Sequence, residues 1–69
     1  MISTARKLSE CERELRLRYR VYPRWIANGQ LTELQAKRRI ETLEEIASDY
    51  RRQLETERPQ LPLTKGERR

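Results

Sequence analysis

Between two long runs of helix-favouring residues the chain places a single interruption, Ala27-Asn28-Gly29-Gln30-Leu31. Gly29 suits the left-handed backbone conformation that ends a helix. Directly after it, Thr32 and Gln35 have the capping-box spacing, in which each side chain accepts from the other's backbone N–H at a helix start. Leu31 and Ala36 have the spacing of a hydrophobic staple, and Glu33 puts a negative charge where the helix dipole favours one. A stop signal followed so soon by a start signal leaves one main option. Two helices fold back on each other, antiparallel, across a short loop.

Each arm has its own apolar stripe. In the first, Leu8, Cys11, Leu15, Tyr19, Tyr22 and Ile26 share a face at about 100° per residue. Trp25 lies at the edge of that face, and Leu17 and Val21 lie on its flank. Arg6, Arg13, Arg16, Arg20 and Arg24 fall nearly opposite. Ser3 and Thr4 are candidate N-caps, and Ser9 with Glu12 repeats the capping-box spacing. In the second arm, Ala36, Ile40, Leu43, Ala47, Tyr50 and Leu54 alternate spacings of four and three, a heptad seam. Ile46 lies beside it. At 1.5 Å per residue the arms are about 30–39 Å long.

Pro23 falls inside the first helical pattern. It lacks an N–H and its ring collides with the carbonyl one turn earlier, and it biases Tyr22 away from helical geometry. The helix therefore kinks there, or breaks and restarts with Pro23 in its first turn. The apolar face stays in phase from Leu15 to Ile26, which favours the kink. The expected architecture is all-α: an antiparallel two-helix hairpin over residues 1–57, kinked at Pro23. Its helices span about 5–27 and 33–57 around a turn at 28–31, and a flexible basic tail covers 58–69. Two stripes cannot enclose a core by themselves. Tyr19, Tyr22, Trp25, Ile46 and Tyr50 are more apolar surface than a lone hairpin covers, so association is expected, either dimerisation into a four-helix bundle or docking of the hairpin on another protein.

Composition narrows the chemistry. There is no histidine and one cysteine, Cys11. That removes the commonest general acid–base group, the usual partner of a nucleophilic Ser or Cys, an internal disulfide and the common zinc ligand sets. Two glycines make no phosphate-cradling loop. Glu41, Glu44, Glu45 and Asp49 read as solubilising charges with local Lys/Arg partners. No apolar run approaches the roughly 20 residues of a membrane span, and Met1 to Glu10 lack a signal-peptide core. The expectation is a cytoplasmic, non-enzymatic module with no cofactor, no metal, no small-molecule substrate and no membrane contact.

The net charge of +5 is unevenly spread. Residues 1–30 hold seven basic against three acidic residues, residues 31–57 five against seven, and residues 58–69 four against one. A basic arm beside an acidic one fits either nucleic-acid contact or self-complementary pairing. Three surfaces follow as candidates. Tyr19, Tyr22, Arg24, Trp25 and Tyr50 combine the residue types that anchor protein interfaces. Arg13, Arg16, Arg20 and Arg24 form part of a stripe about 27 Å long that can contact phosphates, although Glu10, Glu12 and Glu14 weaken its field. In the tail, Gln60, Leu61 and Leu63 fit a docking peptide.

Two resemblances add context. The run Val21-Tyr22-Pro23-Arg24-Trp25-Ile26, followed by Gly29, Leu31-Thr32, Ala36, Ile40 and Glu44, resembles a group of short proteins encoded in bacteriophages and prophages. In that group a Y-P-R-W stretch precedes a glycine turn and a second Ala/Ile/Glu-rich helix. The resemblance covers about residues 8–50. It implies the cytoplasm of a bacterial host and transfers no functional residues. Gln60-Leu61-Pro62-Leu63-Thr64 resembles the peptide with which bacterial proteins dock on the DNA polymerase sliding clamp, with Thr64 where that motif has an aromatic. The reading is a small phage or prophage adaptor that binds a host or phage protein, and itself as a homodimer. The alternatives are a nucleic-acid-binding accessory protein, a clamp-docking peptide and a purely structural bundle.

Overall fold

A computed structural model of the chain describes residues 1–57, and these form two helices, α1 (Thr4–Ala27) and α2 (Glu33–Glu57), packed as an antiparallel hairpin. Among the described residues there is no strand, and no helix is long and apolar enough to cross a membrane. Gln60, Leu61 and Leu63 lie outside the described residues, as does the rest of the segment 58–69.

Of the candidate caps for α1, Ser3 takes the role. Its backbone is extended and its Oγ accepts from the Arg6 N–H at 3.1 Å. Ser9 and Glu12 lie within the helix. At the other end Asn28 is the C-cap and Gly29 follows with φ 76°. The Gly29 N–H donates to the Ile26 carbonyl at 3.0 Å and the Gln30 N–H to the Trp25 carbonyl at 2.9 Å. These two bonds define a Schellman motif, which satisfies carbonyls the helix end would otherwise leave open. The capping box opens α2 as its spacing predicts. The Thr32 N–H donates to Gln35 Oε1, and the Gln35 N–H to Thr32 Oγ1, both at 3.0 Å. Leu31 and Ala36, the two residues of the staple, are both buried in one cluster.

α1 runs unbroken through Pro23, so of the two expected outcomes the break does not occur. The lost N–H bond would have gone to the Tyr19 carbonyl. The proline lies four residues from the end of α1, where fewer turns depend on it.

The core is a thin layer in two patches. Leu8, Leu15 and Ala47 form one, with Cys11, Ile40, Leu43, Tyr50 and Leu54 packed against it. Tyr22, Leu31 and Ala36 form the other, near the turn, with Val21, Ile26 and Ile40 against it. Ile40 joins the two. The most buried core residue is Ala47, at 1% exposure. A small residue at the centre of the seam lets the helix backbones approach closely, and leaves larger neighbours half covered. Thr4 is the one buried polar side chain among the described residues, and its hydroxyl donates to Glu57 Oε2 at 2.7 Å, closing the open end of the hairpin.

Candidate interaction surface

A two-helix layer has two long flanks, and here they differ in chemistry. One flank is tied across the seam by polar side chains. Arg51 Nη2 of α2 meets Glu12 Oε2 of α1 at 3.0 Å, and the Tyr19 hydroxyl of α1 donates to Glu44 Oε2 of α2. That bond acts first among the causes that raise the Tyr19 phenol above its usual value of 10.0. Partial loss of hydration and the Glu44 charge act in the same direction. The phenol is stabilised in its protonated, donating form.

The opposite flank is open. Leu43 and Ile46 of α2 floor a shallow groove rimmed by Arg18 of α1 and by Arg38, Arg39 and Thr42 of α2. Toward the turn it continues into a second depression lined by Trp25, Gln30, Leu31, Gln35 and Arg39. Ile46 and Trp25 are each 39% exposed, a large fraction for residues of this size beside a helix seam. Arg18 fixes the rim. Its Nε donates to Glu14 Oε2 at 3.0 Å, its Nη1 to the Arg39 carbonyl at 3.1 Å, and its guanidinium lies 6.0 Å from the centroid of the Tyr22 ring. Such a contact carries cation–π attraction. At the far end of the same flank Lys7 Nζ lies 5.9 Å from the Tyr50 ring centroid.

The predicted interface residues therefore separate. Trp25 and Arg24 are exposed, and Tyr19 is 52% exposed but bonded to Glu44 on the tied flank. Tyr22 is corrected to a core residue. At 4% exposure, packed with Leu31 and Ala36, it is covered by the hairpin itself. Its ring supports Trp25 instead, with centroids 5.5 Å apart and planes tilted by 35°. Tyr50 is half-buried against the core and under Lys7. The structure thus brings Tyr22, Trp25 and Arg24 to one end of α1, and leaves Tyr19 on one flank and Tyr50 toward the other end.

The arginine stripe is exposed along its length. Arg13 pairs with Glu10 at 3.7 Å, whereas Arg16, Arg20 and Arg24 have no carboxylate partner among the described residues. Leu17, 39% exposed, interrupts the charge between Arg13, Arg16 and Arg20. Arg18 and Arg39 are the rim residues that sequence reasoning missed. The available signal was the Glu14–Arg18 spacing of four, which places Arg18 on the flank of the apolar face rather than with the other arginines. Among the described residues no group of three or more Cys, Asp or Glu residues is arranged to hold a metal ion.

No protein-family model, curated protein or solved structure matches the chain.

Proposed function

We propose that this protein is a small, non-enzymatic adaptor that binds another protein through the turn end of the open flank, with Trp25 as the apolar anchor and Arg24 and Arg18 as its polar rim. The observation that carries the reading is the pose of Trp25. It is held on a buried tyrosine at the end of a capped helix, so its ring is ordered while a large part of it faces water. An ordered, half-exposed Trp flanked by arginines has the composition of an interface hot spot, and little side-chain entropy is left to lose on binding. A bend at Pro23 would set the angle at which Trp25 is presented, because the proline stands two residues before it. Dimerisation of the hairpin into a four-helix bundle fits the thin core, which leaves Ile46, Leu17 and Trp25 half covered. The Y-P-R-W resemblance is what suggests a phage or prophage context for the adaptor, with a host or phage protein as the proposed partner in a bacterial cytoplasm.

One observation favours a second reading. Arg16, Arg20 and Arg24 stand along α1 without carboxylate partners among the described residues, and such a row suits phosphates. Fluorescence anisotropy of labelled duplex and single-stranded DNA at about 50 and about 200 mM salt separates the two readings, because phosphate contacts weaken steeply over that range. The adaptor reading expects no DNA binding that the higher salt abolishes. Salt-sensitive DNA binding that is lost in the Arg16→Glu, Arg20→Glu variant would replace it with the nucleic-acid reading.

A further inference from the structure

On the open flank α2 carries a second heptad series beside the one that packs on α1. Gln35, Arg39, Thr42, Ile46, Asp49 and Gln53 alternate spacings of four and three, one residue before each member of the core seam. Its middle members line the groove described above, and none of Arg39, Thr42, Ile46 or Asp49 is buried by α1. The series is also patterned in charge. Its half nearer the turn holds Arg39, its far half holds Asp49, and Thr42 and Ile46 lie between.

We infer that this series is the self-association surface of the hairpin, and that a second copy packs its α2 antiparallel on the first. In that arrangement Arg39 of each chain stands opposite Asp49 of the other, and Thr42 opposite Ile46. The inference rests on the reading of the protein as a dimeric bundle and adds its surface, direction and register.

Charge selects the direction. A parallel pair in register would oppose Arg39 with Arg39 and Asp49 with Asp49, and like charges across an interface are strongly unfavourable. The antiparallel pair converts both clashes into two equivalent ion pairs. The register follows from the same residues. Sliding the partner by one heptad in one direction sets Ile46 against Asp49, and in the other sets Arg39 against Thr42, so only one register pairs both charges. That register is centred next to the midpoint of α2 (Glu33–Glu57), which keeps most of both helices in contact. Asp49 also bonds Arg52 of its own helix through Oδ1, which leaves Oδ2 for the partner's guanidinium. Arg39 has no carboxylate partner among the described residues. The outermost layer would be Gln35 against Gln53, and both are already bonded within their chain, to Thr32 and to Glu57. The specific layers are therefore the inner ones. The tied flank offers no equivalent surface, because Tyr19, Glu44, Glu12 and Arg51 satisfy one another there.

The test is sedimentation equilibrium of the full chain and of Arg39→Asp, Asp49→Arg and the double swap, with helicity followed by circular dichroism. The expected result is a wild-type dimer, a dissociation constant raised more than about tenfold in each single variant, and recovery in the double swap. A wild-type dimer that neither single variant weakens, or that the double swap fails to restore, overturns the surface and register while dimerisation stands. A wild-type chain that is monomeric throughout overturns both. Should a single variant lose helicity, an equimolar mixture of Cys11→Ser/Thr42→Cys and Cys11→Ser/Ile46→Cys decides. Oxidation is expected to link the two variants to each other in preference to linking either to itself, and the absence of that preference overturns the register.

Discussion

Tyr22 and Trp25 stack with 5.5 Å between ring centroids and 35° between ring planes, and the core holds only the tyrosine. The pair converts core packing into a surface feature. Leu31 and Ala36 fix Tyr22, and Tyr22 fixes the face on which Trp25 rests. Between the two stands Pro23, the residue least suited to a helix interior, with its own side chain exposed.

A helix-interior proline costs about 3 kcal/mol, chiefly through the lost hydrogen bond and the clash with the preceding turn. Pro23→Ala restores the N–H that Tyr19's carbonyl lacks and removes no buried contact. Its expected effect is a rise in stability of about 1–3 kcal/mol in urea denaturation followed by circular dichroism. A bend that sets the pose of Trp25 predicts weaker partner binding in the same variant. Stability that falls in Pro23→Ala would show that the ring makes packing contacts that outweigh the lost bond.

The turn allows a cleaner separation of backbone from packing. A methyl built at Gly29 meets nothing within 4 Å, yet φ there is +76°. Gly29→Ala should cost about 1–2 kcal/mol through left-handed strain alone, and Gly29→Asn less, because asparagine tolerates that region. Equal stability of the glycine and alanine forms would contradict the Schellman geometry.

Ala47 tests the close approach of the helices. With the side chain almost wholly covered at the middle of the seam, Ala47→Leu has no space to enter without separating α1 from α2. Overpacking of this kind costs about 1–3 kcal/mol, and denaturation midpoints would record it. A neutral or stabilising leucine would mean that the seam is looser than its burial implies.

The tied flank makes a pH prediction. Glu44 raises the Tyr19 pKa, so the folded state holds that proton more tightly than the unfolded chain does. The contribution is fully present below the unfolded pKa near 10.0 and is lost as pH rises through the higher folded value. Wild-type stability should therefore fall relative to Tyr19→Phe on going from about pH 9 to about pH 11, the range that brackets the tyrosine pKa. Parallel pH profiles for the two proteins would show that the hydroxyl is not bonded to Glu44 in solution.

Much of the fold was legible because the signals were local. The capping box at Thr32 and Gln35, the staple of Leu31 and Ala36, and the glycine at the turn each lie within a few residues of their partner. The boundaries they mark agree with the observed helices to within a residue. The heptad seam of α2 likewise named its buried residues. The site was less legible because it depends on contacts between the arms. The helical wheel puts Tyr22 on the apolar face and Trp25 at its edge, but how far each is covered is decided by the packing of Leu31 and Ala36 from across the turn. Arg18 stands apart from the arginine stripe on the helical wheel, but its role at the rim depends on the Arg39 carbonyl, twenty-one residues on. Tyr19 looks like an anchor until Glu44 of the other helix claims its hydroxyl.

Under the proposed phage context, the decisive experiment is affinity capture from a lysate of infected bacteria, run with and without nuclease treatment, with wild type, Trp25→Ala and Tyr19→Phe as baits. A defined protein is expected to be retained by wild type and by Tyr19→Phe and lost with Trp25→Ala, with helicity unchanged in all three. Retention by Trp25→Ala equal to that of wild type, or loss of the captured protein from wild type once nucleic acid is digested, would contradict it.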